Sequence, residues 1–195
     1  MVNNFEKIKS LLNFTSENDF YFLQVIQRRK DNPNINRSER LIRSFYIYSI
    51  EQFERSMPFI IELCNAFNAR AYISLNKKDC HKVATTTMVN VAELINNGNY
   101  HAVKNAYDSA CGTYKGENLT WVVDIDTKDV SFADEMRKLI ENCEPKDRQT
   151  IVAEIPTKNG IHFITRPFNR AQFSKATTED ITIHTNSPTL LYIKA

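Results

Sequence analysis

Glycine is scarce in this chain, with four in 195 residues. No G-x-G-x-x-G turn and no Walker A loop can be drawn from them. The Gly-rich phosphate cradles of dinucleotide-binding and P-loop proteins are therefore excluded. Cysteine is equally rare. Cys64, Cys80, Cys111 and Cys143 form no C-x-x-C pair, which excludes zinc-finger and disulfide-scaffold spacing. Cys80–His81 with His101 and Cys111 fits no zinc pattern either, so inert thiols are the expectation there. No apolar run approaches the roughly 18 residues that a membrane helix needs, and no membrane partner is expected. The first ten residues, MVNNFEKIKS, carry two lysines and one acid and resemble neither a signal peptide nor an anchor. A cytoplasmic setting with reduced thiols is the expectation. Net charge is also small, at +2, so the chain is not a polycation built to coat nucleic acid. Any basic surface must be local.

What is present is ordinary globular material. Hydrophobic residues make up 42% and charged residues 25%, enough for a packed core in one domain. Strands are predicted at 20–28 and 41–48, separated by the turn chemistry of DNPN. Ser49 followed by Gln52 reads as a capping box. Phe53, Met57, Ile60, Ile61, Cys64 and Phe67 then repeat at helical spacing. Pro58 should kink or restart that helix, because it lacks a backbone donor. RAYISLN, at 70–76, alternates as a strand and closes a β-α-β unit. Residues 83–110 read as two short helices around Asn96–Asn99. The second half reads as a strand at 119–126, a helix at 131–143 with Ser131 and Asp134 as its cap pair, and a strand at 150–155. A turn PTKNG, a returning strand IHFITRPF, a short helix near 170–175 and two final short strands follow. This β-α-β-β-(α)-β order is the split βαβ arrangement of RRM-like folds. The fold class is thus α+β, with an N-terminal α/β module (1–118) and an RRM-like module (119–195).

Two features carry chemistry. Along LTWVVDID, side chains alternate, so Asp124 and Asp126 share a face about 7 Å apart at Cα. Carboxylates this close repel unless a cation lies between them, and a hard ion such as Mg²⁺ or Mn²⁺ suits oxygen ligands. The plainer reading is a solvated strand end. The second feature is the hairpin VAEIPTKNGIHF. Gly160 is placed at its tight turn. His162 projects from the face opposite Ile161 and Phe163, beside turn amides and Lys158 that suit an anion. Its plainer reading is a surface histidine beside a turn.

In order and strand context, WVVDID (121–126) and EIPTKNGIHF (154–163) resemble the archaeo-eukaryotic primase superfamily, the primase-polymerases common in phages and plasmids. That resemblance implies a DNA primase or polymerase-like nucleotidyltransferase, adding nucleotides to a 3′-hydroxyl on a template. It implies Asp124 and Asp126 as catalytic metal ligands for Mg²⁺ or Mn²⁺. His162, with Lys158, Asn159 and Arg70, would bind nucleotide. Nucleoside triphosphates and single-stranded DNA or RNA are the implied partners, with a replication helicase as a further one. The family's third acid is assigned to Asp180, although Thr182 stands where that acid often lies. Without it the chain is a catalytically inactive nucleotide- or nucleic-acid-binding module. A metal-dependent nuclease using the same aspartates is a third reading.

Residues 28–43 hold Arg28, Arg29, Lys30, Arg37, Arg40 and Arg43 against Asp31 and Glu39. Arg28, Arg29, Arg40 and Arg43 are expected to grip nucleic-acid phosphates, the alternative being a solvated loop. Arg70, Tyr72, Ser74 and Asn76 form a polar stripe, which lines a cleft or is the wet face of an edge strand.

Overall fold

A computed structural model describes residues 1–116 and 119–194. The expected module boundary at 118 and the end at 195 lie outside the described residues. The chain opens with β1 (Val2–Asn3) and a short helix, α1 (Phe5–Lys9). A hairpin of β2 (Asp19–Arg28) and β3 (Glu39–Ile47) follows. Next come α2 (Ile50–Ala66), β4 (Arg70–Ile73), β5 (Lys78–Asp79) and α3 (Cys80–Asn96). A 3-10 turn at Tyr100–Asn105 leads into α4 (Ala106–Thr113). The second half runs β6 (Trp121–Ile125), α5 (Val130–Glu141), β7 (Ile151–Pro156), β8 (Ile161–Thr165) and α6 (Arg170–Ala176). It ends with β9 (Thr182–His184) and β10 (Thr189–Ile193).

This is a mixed α+β fold with two antiparallel sheets among the described residues. The larger has strand order β1-β10-β4-β2-β3, with β5 paired to the start of β2. The smaller has order β7-β8-β6-β9. β3 and β4 both run antiparallel to β2, so they are parallel to each other, joined by α2. β6 and β7 stand in the same relation around β8, joined by α5.

One expectation about the chain's end needs correcting. β10 does not finish the smaller sheet; it pairs with β4 and β1 in the larger one. All five of its residues are buried. A strand covered on both faces belongs in a sheet's interior, and only the larger sheet offers it a neighbour on each side. The two halves of the chain are therefore interlocked rather than laid end to end.

Local chemistry explains most element ends. Ser49 caps α2 by accepting from the Gln52 amide, and Gln52 reaches back to the Tyr48 amide at 2.7 Å, a capping box shifted by one residue. α2 runs through Pro58 without restarting. Pro58 is exposed, as is Glu54, so the carbonyl left without a donor faces water. Phe67 falls outside the buried stripe and is exposed at the helix end. The cap of α5 is Asp129, which accepts from the Ser131 and Phe132 amides, not the pair Ser131 and Asp134. An aspartate two residues earlier reaches both free amides and suits the positive end of the helix. The break between α3 and the next turn falls at Gly98, whose φ of +69° favours glycine.

Three apolar clusters hold the fold. Leu23, Val25, Ala71 and Ile73 pack against Phe53, Ile60 and Cys64 of α2. Val123, Ile125 and Phe163 pack against Met136, Ile140 and Phe173 of α5 and α6. Phe20 and Phe22 sit against Val83, Ala110 and Cys111 of α3 and α4. Each large side chain so buried contributes about 1.5–3 kcal/mol. Val122, Ile155 and Ile164 of the smaller sheet join the first cluster, so apolar contact binds the sheets. Two buried amides add direction to that contact. Asn4 donates to the Pro156 and Leu190 carbonyls, each at 2.9 Å. Asn76 accepts from the Thr120 amide at 2.6 Å and hydroxyl at 2.8 Å, anchoring the approach to β6.

Candidate active site

Alternation on the strands decides what faces the gap between the sheets. On β6 the odd residues Val123 and Ile125 point into the core beneath α5 and α6. The even residues Val122 and Asp124, with Asp126 just beyond the strand, face the larger sheet. That sheet presents Gln24, Ile26 and Arg28 of β2 and Arg70 and Tyr72 of β4. Between them lies a cleft of about 470 Å³. Lys30, Thr157, Lys158, Asn159, His162 and His184 also line it, with Glu39 and Leu190.

The three groups at the centre of the expected site therefore share one hollow. Asp124 stands directly across from His162 on β8 and from Thr182 on β9. His162 Nε2 lies 3.4 Å from Asp124 Oδ1, and His162 Nδ1 lies 2.9 Å from the Thr189 hydroxyl. The His162 side chain is 13% exposed, so it is part of the cleft floor rather than a surface group. Its hydrogen bond pulls the Asp124 carboxyl below the usual carboxylate range, against the opposing effect of burial. The charges of His162, His184 and Lys30 act in the same downward direction. Asp124 is thus kept ionised.

Gly160 has a different role from the one its turn suggested. The turn is closed by Thr157, whose amide donates to the Gly160 carbonyl at 2.9 Å and whose hydroxyl accepts from the Gly160 amide at 3.0 Å. Positive φ is found at Gly98 and Gly116 but not at Gly160. What Gly160 supplies is closeness. A Cβ there would lie 1.9 Å from the Ile125 carbonyl oxygen. Its missing side chain lets the hairpin turn press against the end of β6, which sets His162 beside Asp124.

The cations are organised by Asp31, which in the sequence stands only as a counter-charge among arginines. Asp31 grips Arg70 with both oxygens, Arg70 Nε to Oδ2 at 2.7 Å and Nη2 to Oδ1 at 2.8 Å. Lys158 Nζ lies 3.3 Å from Oδ1 of the same carboxylate. Asp31 therefore links β4 of one sheet to the β7–β8 turn of the other. Arg70 is only 6% exposed. Burial tends to raise the Asp31 carboxyl, but Arg70 and Lys158 outweigh it and hold it low. A depressed carboxyl contributes stability above its unfolded value and loses it as pH falls through the folded one. Asp31→Ala should cost about 3 kcal/mol at neutral pH, since it strands a buried guanidinium. It should also flatten the loss of stability below about pH 4. Urea unfolding of both proteins at pH 7 and pH 3 tests this, and equal midpoints at pH 7 would contradict it.

The remaining expected residues scatter. Arg28 lines the cleft, paired with Glu39 at 3.0 Å. Arg29 is exposed on the β2–β3 connection. Arg40 and Arg43 sit across from Gln27 and Val25, on the face away from the cleft. Arg43 lies over the Phe45 and Phe59 rings, at 5.6 and 5.1 Å. Regular alternation would put these two, three residues apart, on opposite faces; the register shift between Val25 and Ile26 brings Arg40 to the face of Arg43. The basic segment is thus divided, with Arg28 and Lys30 inside the cleft and Arg40 and Arg43 behind it. The polar stripe of β4 is no edge: β4 lies between β10 and β2.

Asp180 does not line the cleft. It lines a second hollow of about 540 Å³ on the other side of the β6 end, with Asp124, Asp126, Asp129 and Glu179. The two aspartates thus form a ridge between a basic hollow and an acidic one. Among the described residues, no group of three or more His, Cys, Asp or Glu side chains is placed to hold one metal ion. Two carboxylates remain a fitting set for Mg²⁺, which keeps several waters and takes its other ligands from substrate phosphates. The cysteines are free, and burial pushes the Cys64 and Cys111 thiols up to about 12, which keeps them inert.

His184 and Thr189 were missed in the sequence. His184 is on a short strand whose register to β6 cannot be read locally, and Thr189 comes from the other sheet. Among the described residues no helix is long and apolar enough to cross a membrane. Comparison of the chain with family models, curated proteins and solved structures finds no match in any of the three.

Proposed function

We propose that the protein is a DNA primase or polymerase-like nucleotidyltransferase, adding nucleotides to a 3′-hydroxyl on a single-stranded DNA or RNA template in the cytoplasm. The single observation that carries the reading is the shared cleft, with Asp124 and Asp126 on one strand end and His162 facing them. The strand order β9-β6-β8-β7 with its β-α-β-β-α-β sequence supports an RRM-like core of the primase-polymerase kind.

The residues divide the work. Asp124 and Asp126 would hold divalent metal, which lowers the pKa of an attacking hydroxyl and steadies a pyrophosphate leaving group. Lys158, Arg70 and Lys30 offer positive charge to a triphosphate on the same side of the ridge. His162 offers a ring nitrogen, and Asn159 an amide, at the turn. The apolar Val122, Ile26 and Leu190 give a base or sugar somewhere dry to rest. Arg28 is the one member of the expected nucleic-acid set that borders this cleft. A replication helicase is a further partner that this reading implies.

A second reading has its own observation. Thr182, not a carboxylate, stands across from Asp124 on β9. A metal site short of one ligand suits a module that binds nucleotide without turning it over. Primer extension on a single-stranded template with Mn²⁺ separates the two. The transferase reading expects labelled primers to lengthen, with EDTA abolishing the effect. Nucleotide binding that persists in EDTA, with no lengthening at any Mn²⁺ concentration, would leave only the binding module. Shortened primers would instead assign a nuclease.

A further inference from the structure

Thr189 lies on β10 of the larger sheet and is fully buried. Its hydroxyl meets His162 Nδ1 at 2.9 Å across the junction of the sheets, while His162 Nε2 faces Asp124 at 3.4 Å. The ring is therefore held between partners of different kinds. An ionised carboxylate only accepts hydrogen bonds, whereas a hydroxyl donates or accepts. A bare Nε2 lone pair turned toward Asp124 would be repelled, so Nε2 carries the hydrogen. In the neutral ring Nδ1 is then the lone pair, enclosed in protein and in need of a donor. The Thr189 hydroxyl is that donor.

We propose that Thr189 is a positioning residue that, opposite Asp124, fixes the neutral His162 ring in its Nε2–H form, making His162 a hydrogen-bond donor to an oxyanion in the cleft and not a base or a metal ligand. The tautomer follows from the two contacts alone. That the oxyanion is a phosphate rests on the nucleotidyl-transfer reading. Lys158 and Lys30 line the same cleft, so the hydrogen on Nε2 adds to a surface already suited to negative oxygen. When a cation draws the Asp124 carboxylate away, Nε2–H is free to donate to that oxygen instead.

Nitrogen-15 spectra of histidine-labelled protein at a pH of about 8.5, where an imidazole is neutral, read the tautomer directly. Wild type and Thr189→Ser are expected to show Nε2–H. Thr189→Val, of nearly equal size, leaves Asp124 opposite Nε2 and is expected to keep Nε2–H but to shift the Nδ1 resonance, whose lone pair has lost its donor. Calorimetry with inorganic pyrophosphate, without metal, should find binding about tenfold weaker in Thr189→Val, the loss of one good hydrogen bond, and restored in Thr189→Ser. A wild-type Nδ1–H ring, or an Nδ1 resonance unchanged by Thr189→Val, overturns the proposal. So does a shifted Nδ1 resonance with unchanged pyrophosphate affinity, which would remove the positioning role. If Thr189→Val fails to fold, the wild-type and Thr189→Ser spectra still decide, because Nδ1–H in either contradicts it. Failure of primer extension with the expected tautomer intact counts against the transferase reading alone.

Discussion

Gly160→Ala is expected to be among the most damaging single-methyl changes the chain can receive. The new Cβ would lie 1.9 Å from the Ile125 carbonyl oxygen and 2.8 Å from the Thr127 amide nitrogen. Both obstacles are backbone, so no side chain can swing aside to make room. Overpacking of this kind costs roughly 1–3 kcal/mol, and an immovable neighbour puts it at the upper end. In a protein of this size that corresponds to a Tm lower by roughly 6–12 °C. The cleft should suffer more than the fold. Moving the turn away from β6 draws His162 from Asp124 and carries Lys158 with it. Thermal unfolding and nucleotide binding, measured side by side, check both parts. A Tm within about 2 °C of wild type would mean that the turn does not press on β6 as described.

Replacing Asp124 and Asp126 together with alanine should leave the fold standing and remove the chemistry. Asp126 is exposed, and the Asp124 side chain is 36% exposed, so little packing is lost. If these carboxylates hold the metal, primer extension in Mn²⁺ should fall at least about a thousandfold, on the scale of the several kcal/mol a metal ion supplies. Asp124→Asn keeps the size and the cross-strand partners but loses the charge, and should fall nearly as far. Thr182→Asp probes the other side. It sets a carboxylate opposite Asp124, where two oxygens already wait. In the binding-module reading it should raise Mn²⁺ affinity, because it supplies the missing ligand. Extension unchanged in the double alanine variant would remove the aspartates from any catalytic account.

The site was partly legible before folding because β-strand alternation is a local property. Once 121–126 is a strand, Asp124 and Asp126 must share a face, and Val123 and Ile125 must take the other. The same holds for His162 against Ile161 and Phe163. Asp31 was not legible. Beside five arginines and Lys30 it looks like a solvated counter-ion, and nothing near it in the chain announces Arg70 at a separation of 39 residues. Arg40 and Arg43 misled for the converse reason. Charge clustered in sequence suggests charge clustered in space, but alternation sets Arg43 on the face away from Arg28, and a register shift in the β2–β3 ladder puts Arg40 there with it.

Periodicity and turn chemistry, both properties of neighbouring residues, were enough to draw the strands, most of the helices and the direction in which each candidate side chain leaves its strand. Long-range pairing lay beyond them. That β10 crosses to the larger sheet, that Thr189 thereby reaches His162, and that Asp180 falls behind the aspartates instead of beside them depend on which strand finds which partner. Such pairings are won by burial summed over the whole molecule, and a short buried stretch such as TLLYI carries no mark of the sheet that will cover it.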